Sequence, residues 1–148
     1  MAAPLSHDGL LVVEDSDEDF AVIGWALQRA GFPGPIRRCT RVAEALSVLG
    51  NSEAESLAPG ARPRVVLLDL NLPDGDGRDL LEALWTRHGA LPVPIVILTS
   101  SAHPHDMADC TRLGAAGYLV KPFDRATFAA QIQAFVQAWF TPWQHPQS

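Results

Sequence analysis

Short runs of consecutive apolar residues alternate along the chain with longer stretches in which apolar residues recur every three or four positions. Short runs rich in Val, Leu and Ile that end in turn residues are typical of buried strands, and the longer stretches are typical of helices with one inward face. The short runs predict strands over 10–13, 36–39, 65–68, 93–98 and 118–120. The periodic stretches predict helices over 16–30, 41–49 and 77–88, from 104 to a stop at Gly114, and over 124–140.

Five strands that alternate with five helices predict an α/β fold with a doubly wound, five-stranded parallel sheet covered on both faces. Ser16 is the expected cap of the first helix and Gly31 its stop. The polar stretch 51–63, which carries Pro and Gly, predicts a loop. We expect one domain over 10–140, with an N-terminal tail over 1–9 and a C-terminal tail over 141–148.

Composition narrows the class of protein. The 148 residues carry a net charge of −6 and no basic run, which argues against nucleic-acid binding. Cys39 and Cys110 stand singly, without metal-ligand spacing, as in proteins of a reducing compartment. The chain has no signal-peptide pattern and no apolar run near the ~20 residues needed to cross a bilayer. We therefore expect a cytoplasmic protein without a membrane anchor.

Polar side chains stand where the predicted strands end. Glu14 and Asp15 follow the first strand, Asp69 the third, Thr99 the fourth and Lys121 the fifth. Each could have a local role, as a helix cap, a strand residue or a surface charge. Because the carboxyl ends of parallel strands share one edge of the sheet, the same residues can instead converge on one site.

Lys121 adds weight to the convergent interpretation. It is the only lysine in a chain that has ten arginines. A flexible ammonium can reach a single oxygen atom, whereas the planar guanidinium of arginine is suited to bidentate contacts. The sequence therefore favours a specific contact for Lys121 over a general surface charge.

Four segments together resemble the receiver domains of bacterial two-component response regulators. They are VEDS at 13–16, LDLNLP at 68–73, LTS at 98–100 and GYLVKPF at 117–123. The intervals also agree, with 30 residues from Asp69 to Thr99 and 52 from Asp69 to Lys121. The resemblance spans about 10–140. Two departures are the long loop before the third strand and Glu14, where many members have Asp.

The resemblance implies a flavodoxin-like receiver fold in which Asp69 accepts a phosphoryl group from a kinase phosphohistidine. Glu14, Asp15 and Asp69 would crowd three negative charges into one cleft, which calls for a cation. Oxygen ligands without Cys or His select Mg²⁺ or Mn²⁺. The metal would contact Asp15, Asp69 and a backbone carbonyl near Asn71, with Glu14 partly through water.

The resemblance also assigns the remaining polar residues of the site. Lys121 and the Thr99 hydroxyl would each bind a phosphoryl oxygen. Movement of Thr99 towards the phosphoryl group would vacate space into which Tyr118 could rotate, which makes these two residues the expected switch. Such a protein is a phosphoacceptor that catalyses its own phosphoryl transfer and autodephosphorylation, not an enzyme acting on other substrates.

Two other functions remain open from the residues. The first is an aspartate-nucleophile phosphatase, although Asn71 stands where that chemistry needs a second titratable acid. The second is a receiver-like module that binds a partner without phosphorylation. Treatment with Mg²⁺ and a small phosphodonor separates all three.

Partners are expected to be proteins. The residues of the four motifs and the aromatic C-terminal segment resemble those of single-domain regulators paired with phytochrome-type histidine kinases. Since no DNA-binding segment follows the fifth helix in this sequence, output by protein contact is expected. We also expect a homodimer through the fourth helix, fifth strand and fifth helix, with Trp139, Phe140 and Trp143 contributing. The alternative is that Trp139 and Phe140 close the core of their own domain.

Overall fold

The computed structural model of the protein describes residues 9–50 and 63–140. Within these ranges, strands and helices alternate as the apolar pattern predicts. The strands are β1 Leu10–Val13, β2 Ile36–Cys39, β3 Val65–Leu68, β4 Asn71–Leu72, β5 Gly75–Asp76, β6 Ile95–Thr99 and β7 Gly117–Val120. The helices are α1 Asp17–Arg29, α2 Val42–Gly50, α3 Gly77–His88, α4 Pro104–Arg112 and α5 Arg125–Phe140.

Five of the strands form one parallel sheet in the order β2-β1-β3-β6-β7. Their apolar runs are buried on both faces, because successive side chains point to opposite sides of a strand. Leu11, Val13 and Leu68 belong to one core, whereas Leu10 and Val12 belong to the other. The packing of α2 on α3 and of α1 on α5 covers the two faces. The predicted doubly wound α/β fold is confirmed.

The order in which successive strands are added to the sheet reverses between β1 and β3. From β1 the chain crosses to β2 at one edge, then returns past β1 to β3 and continues to β6 and β7. Ligands of open α/β sheets bind in the crevice outside the carboxyl ends of the strands at such a reversal. This crevice lies between Glu14, which follows β1, and Asp69, which follows β3.

The sequence did not predict the antiparallel pair of β4 and β5, in which Asn71 pairs with Asp76 and Leu72 with Gly75. The predicted strand at 93–98 also begins two residues before the start of β6 and ends one residue before its end. Pro94 precedes β6 and has no N–H group to donate to a neighbouring strand, although its carbonyl accepts a hydrogen bond from the Val66 N–H. Nearly all of the predicted loop at 51–63 lies outside the described residues.

The aromatic end of α5 closes the core. Phe140 is only 1% exposed, and its ring centroid lies 4.7 Å from that of Phe32 and 6.4 Å from that of Phe135. Trp139 is half-buried against the same core. The prediction that Phe140 contributes to a dimer surface is therefore wrong, because its ring is already buried within one chain. Trp143 lies outside the described residues.

No helix in the described part of the chain combines the length and the apolar content that a membrane span requires.

Candidate functional site

The carboxyl edge of the sheet gathers the polar residues that the sequence singled out. In the described residues, the polar side chains that are almost wholly buried belong to Glu14, Asp69 and Thr99. Backbone hydrogen bonds hold their strand ends in register: Asp69 N–H donates to the Val13 carbonyl at 3.0 Å, and Lys121 N–H donates to the Thr99 carbonyl at 2.8 Å. Burial of polar groups costs free energy unless they are paired, so their contacts decide what the site can do.

The ammonium of Lys121 lies among three carboxylates. Its Nζ is 2.8 Å from Glu14 Oε1, 3.1 Å from Asp69 Oδ2 and 2.8 Å from Asp19 Oδ2. A lysine ammonium has three N–H donors, and each has one partner here. The predicted convergence of Glu14, Asp69 and Lys121 agrees with this arrangement, whereas Asp19 was not predicted.

Asp19 reaches the site from a helix and not from a strand end. Ser16 caps α1 as predicted, and its Oγ accepts a hydrogen bond from the Asp19 N–H at 3.1 Å. This cap starts α1 directly above the sheet edge, so that its first turn, which carries Asp17, Glu18 and Asp19, lies beside the site. The acidic first turn was the available signal, but the sequence does not say which of the three carboxylates faces Lys121.

Burial and charge shift the pKa values of this group in a consistent way. Burial raises the pKa of Glu14 to about 7, with the Lys121 hydrogen bond opposing and the Asp69 charge adding to the increase. Burial acts to lower the pKa of Lys121, but its hydrogen bonds to Asp19 and Glu14 and the Asp69 charge outweigh burial and hold that pKa above its ordinary value. Burial thus favours the neutral form of Glu14, whereas the surrounding carboxylates keep Lys121 charged.

Asp15 and Asn71 lie at the rim of the site. Asp15 is exposed, and the three carboxylates whose oxygens lie within 4.8 Å of one another are those of Glu14, Asp19 and Asp69. Asn71 is also exposed, and its N–H donates to Asp69 Oδ1 at 3.2 Å. The structure does not bring Asp15 into the carboxylate cluster, so its assignment as a metal ligand stays a prediction.

A glycine lets α3 approach the backbone next to Asp69. The Gly77 N–H donates to the Leu70 carbonyl at 2.8 Å. A Cβ at Gly77 would lie 2.6 Å from the Asp69 carbonyl oxygen and 3.0 Å from Leu70 Cα, closer than packed atoms can approach. Sequence reasoning assigned Gly77 only to the start of a helix and missed this role.

Thr99 and Tyr118 are connected through Ser101. Thr99 is fully buried, and its Oγ1 accepts a long hydrogen bond of 3.4 Å from the Ser101 N–H. Tyr118 is half-buried and donates from its hydroxyl to the Ser101 carbonyl at 2.9 Å. Burial raises the pKa of Tyr118, so the hydroxyl stays protonated and can donate. The segment after β6 thus joins the two residues that the sequence predicted as a switch.

The same segment is tied to α4, and α4 to α3. Ser101 Oγ donates to Asp106 Oδ2 at 2.6 Å. The Arg78 guanidinium at the start of α3 contacts Asp106 and Asp109 on α4, both at 2.9 Å, as well as Asp76 beside it. Because one arginine bridges three carboxylates, it fixes the position of α4 relative to α3.

Replacement of Arg78 by Met keeps the aliphatic stem but removes the guanidinium. We expect Arg78→Met to lower the free energy of unfolding by about 1 kcal/mol, the scale of a partly exposed ion-pair network. Amide hydrogen exchange should become faster in α4. Arg112→Met is the matched control, because Arg112 contacts only Asp109 of this group and is more exposed. Equal exchange in α4 for wild type and Arg78→Met would contradict this role.

The family model for the response regulator receiver domain matches residues 10–133. FilR2 of Methanothrix harundinacea, a probable methanogenesis regulatory protein, is 30% identical over 88% of this chain and 82% of its own length. The transcriptional regulatory protein GltR of Pseudomonas aeruginosa is 35% identical over 89% of this chain but only 50% of its own length. The chain thus spans about half the length of some of its curated relatives, which contain further segments.

Solved structures of similar fold include regulators described in connection with phytochromes or red light. The phosphorylated cyanobacterial phytochrome response regulator RcpA is 25% identical, with 92% of this chain and 96% of RcpA covered and a TM-score of 0.77. RPA3017, described in red light signalling of R. palustris, is 26% identical, with coverage of 89% and 93% and a TM-score of 0.78. The Mn²⁺-bound form of response regulator Rcp1 is 28% identical, with coverage of 88% and 93% and a TM-score of 0.74. Since the family pattern spans most of the sequence and the fold agrees, the chain belongs to the response regulator receiver domain family.

Proposed function

We propose that the protein receives a phosphoryl group on Asp69 from a sensor histidine kinase and passes the signal on by contact with other proteins. The observation that carries this proposal is the buried Asp69 carboxylate, which faces an ammonium at 3.1 Å and is only 6% exposed. A buried carboxylate beside a cation is a suitable nucleophile for a phosphoryl group, which itself brings negative charge.

The two oxygens of Asp69 have different surroundings. Oδ1 accepts from the Asn71 N–H, and Oδ2 accepts from Lys121. One of these oxygens attacks the phosphorus of the kinase phosphohistidine, so that an O–P bond forms while the P–N bond breaks and its electron pair returns to the imidazole. Lys121 then stabilises the negative charge on a phosphoryl oxygen, and Thr99 donates its hydroxyl to another.

The donor set fits a hard divalent cation. Its side chains are carboxylates, and three of them, from Glu14, Asp19 and Asp69, surround the single ammonium of Lys121. We assign Glu14, Asp15, Asp69 and the Asn71 carbonyl as the groups that would hold Mg²⁺ or Mn²⁺. When bound, the metal would offset charge on the phosphoryl oxygens.

A single incubation tests the proposed function. The full chain is treated with Mg²⁺ and acetyl phosphate, and its intact mass and the free phosphate are followed together. We expect a gain of one phosphoryl group that decays after the donor is removed. Rapid release of phosphate without a mass gain would indicate a phosphatase. No change in either quantity would indicate a module that binds its partner without phosphorylation.

Metal binding should depend on Asp15 and Asp69. We expect Mg²⁺ to raise the melting temperature by mass action, because the divalent site exists only in the folded state. Asp15→Ala should weaken the apparent affinity at least about tenfold, the scale for loss of a ligand or its support. Asp17→Asn is the control, because Asp17 is 92% exposed and pairs with Arg38. Equal Mg²⁺ affinity in Asp15→Ala and wild type would remove Asp15 from the metal site.

The kinase partner is of the phytochrome type in this proposal, since RcpA is described as a phytochrome response regulator and RPA3017 in red light signalling. The face of this protein on which we propose that the kinase docks lies beside Asp69. Phe123 follows the Lys121–Pro122 segment and its side chain is fully exposed. Next to it lies a cavity of about 210 Å³, lined by Val22 and Ile23 of α1 and by Phe128 of α5. The cavity wall also carries charged side chains, Asp19 and Arg125 among them, and an exposed aromatic residue beside a cavity of mixed character suits insertion of an amphipathic helix from the kinase.

A homodimer through α4, β7 and α5 is also part of the proposal. β7 is an edge strand of the sheet, and Met107 on α4 is 39% exposed. We expect sedimentation of the full chain at about 50 µM, a concentration suited to weak interfaces, to detect a dimer that Met107→Glu converts to monomer. If wild type and Met107→Glu are both monomeric, with and without acetyl phosphate, the dimer proposal is wrong.

A further inference from the structure

The proposed function assigns roles to Glu14 and Asp69 but none to Asp19, the third carboxylate of the cluster. We propose that Asp19 is a positioning residue for phosphoryl transfer, which holds the Lys121 ammonium at the acceptor from the first turn of α1. The proposal rests on Asp69 being the acceptor, and it adds a residue of a helix to a site otherwise built from strand ends.

The geometry leaves Lys121 no unused donor. Its contacts with Glu14 and Asp19 are both 2.8 Å, whereas its contact with Asp69 is 3.1 Å. To bind a phosphoryl oxygen, the ammonium has to release one of the three. The longest contact is the one to the acceptor, and it is the one that phosphorylation itself changes.

Phosphoryl transfer converts the Asp69 carboxylate into a mixed anhydride, and its negative charge passes to the phosphoryl oxygens. The N–H of Lys121 that pointed to Asp69 Oδ2 then turns to a phosphoryl oxygen a short distance away. The other two N–H groups keep Glu14 and Asp19. Asp19 is therefore a partner of the ammonium both before and after the reaction, and it limits where a flexible four-carbon side chain can place its charge.

The backbone of Asp19 is itself fixed, so that the contact can position Lys121. The Asp19 N–H is bonded to the cap residue Ser16, whose own N–H donates to Glu14 Oε2 at 3.1 Å. The two carboxylates that lie 2.8 Å from the ammonium, Glu14 after β1 and Asp19 in α1, are thus linked to each other through Ser16. Asp19 and Lys121 also line the cavity beside Phe123, which places Asp19 between the acceptor and the proposed docking face.

The test is a double-mutant cycle on phosphorylation of the full chain by acetyl phosphate in the presence of Mg²⁺. We expect Asp19→Asn to slow phosphorylation by about threefold to tenfold, as for loss of a half-exposed, charge-assisted hydrogen bond. Asp19→Glu should restore part of the rate. In a Lys121→Met background, Asp19→Asn should have no further effect, because a positioning residue acts through the group it positions. Asp17→Asn, two positions earlier in the same turn, should match wild type.

A second readout observes the contact without any phosphorylation. The chain has a single lysine, so labelling with ¹⁵N-lysine gives one side-chain ammonium signal, that of Lys121. We expect Asp19→Asn to shift this signal and to speed exchange of the ammonium protons with water, whereas Asp17→Asn changes neither. A structural role of Asp19 in capping α1 would leave this signal unchanged.

The outcomes separate this proposal from the proposed function. If wild type takes up no phosphoryl group, the acceptor function fails and the role of Asp19 fails with it. If wild type is phosphorylated but Asp19→Asn is phosphorylated equally fast, only the role of Asp19 is overturned. Equal slowing by Asp19→Asn in the wild-type and Lys121→Met backgrounds would also overturn it, because the effect would then not pass through Lys121.

Discussion

Asp69→Asn is expected to abolish phosphorylation by acetyl phosphate while leaving the fold intact. The amide keeps the size of the side chain, but its single oxygen can replace only one of the two carboxylate oxygens that now accept from the Asn71 N–H at 3.2 Å and from Lys121 at 3.1 Å. It cannot act as a nucleophile at phosphorus, so the rate should fall at least about a hundredfold. Intact mass after incubation with donor and Mg²⁺ measures the effect directly.

The same substitution should raise stability when no divalent metal is present. Asp69 and Glu14 are both almost wholly buried, and the Asp69 charge helps to raise the pKa of Glu14. Removal of one of two neighbouring buried charges relieves their repulsion, so the free energy of unfolding at pH 8 should increase. Asp17→Asn serves as the control, because its carboxylate is exposed. Normal phosphorylation of Asp69→Asn would refute the acceptor assignment.

The strand-end residues could be predicted from the sequence because their position depends on local features. Each follows a short apolar run, and a parallel sheet brings the ends of such runs to one edge. Glu14, Asp69 and Lys121 therefore meet as expected, with 107 residues separating the first and the last. The length of a lysine side chain is the only side-chain property that the prediction of this contact needs.

Asp19 could not be predicted in the same way, because three acidic residues occupy the first turn of α1 and only the rotation of the helix selects one. That rotation is set by packing of Ile23 and Leu27 against the core, which the sequence suggests only coarsely. The role of Gly77 was hidden for a related reason: a close approach between two segments appears only when the fold brings them together. For Phe140, the sequence showed a cluster of aromatic residues near the end of α5. It did not show that Phe32, more than 100 residues earlier, packs against the Phe140 ring.

Because of Glu14, the free energy of unfolding should decrease as the pH rises towards neutral. The pKa of Glu14 is raised from 4.5 in the reference state to about 7 in the fold, chiefly by burial. Between these values the folded chain binds a proton that the unfolded chain has released, so the free energy of unfolding decreases across this window and levels off above it. The full decrease is at most about 3 kcal/mol, from the free energy equivalent of each pKa unit. Denaturation at pH 5, 6, 7 and 8 without divalent metal measures the slope.

Glu14→Gln should remove this slope, because its amide does not titrate; its single oxygen can keep one of the two hydrogen bonds that Glu14 accepts from Lys121 and from the Ser16 N–H. Glu18→Gln is the matched control: Glu18 is exposed on the first turn of α1, and its loss should leave the slope of wild type unchanged. The acids whose pKa values are lowered, such as Asp76 and Asp124, lose their stabilising effect only below about pH 4 and do not act in this window. Identical pH profiles for Glu14→Gln and wild type would mean that Glu14 does not titrate across this window in the folded protein.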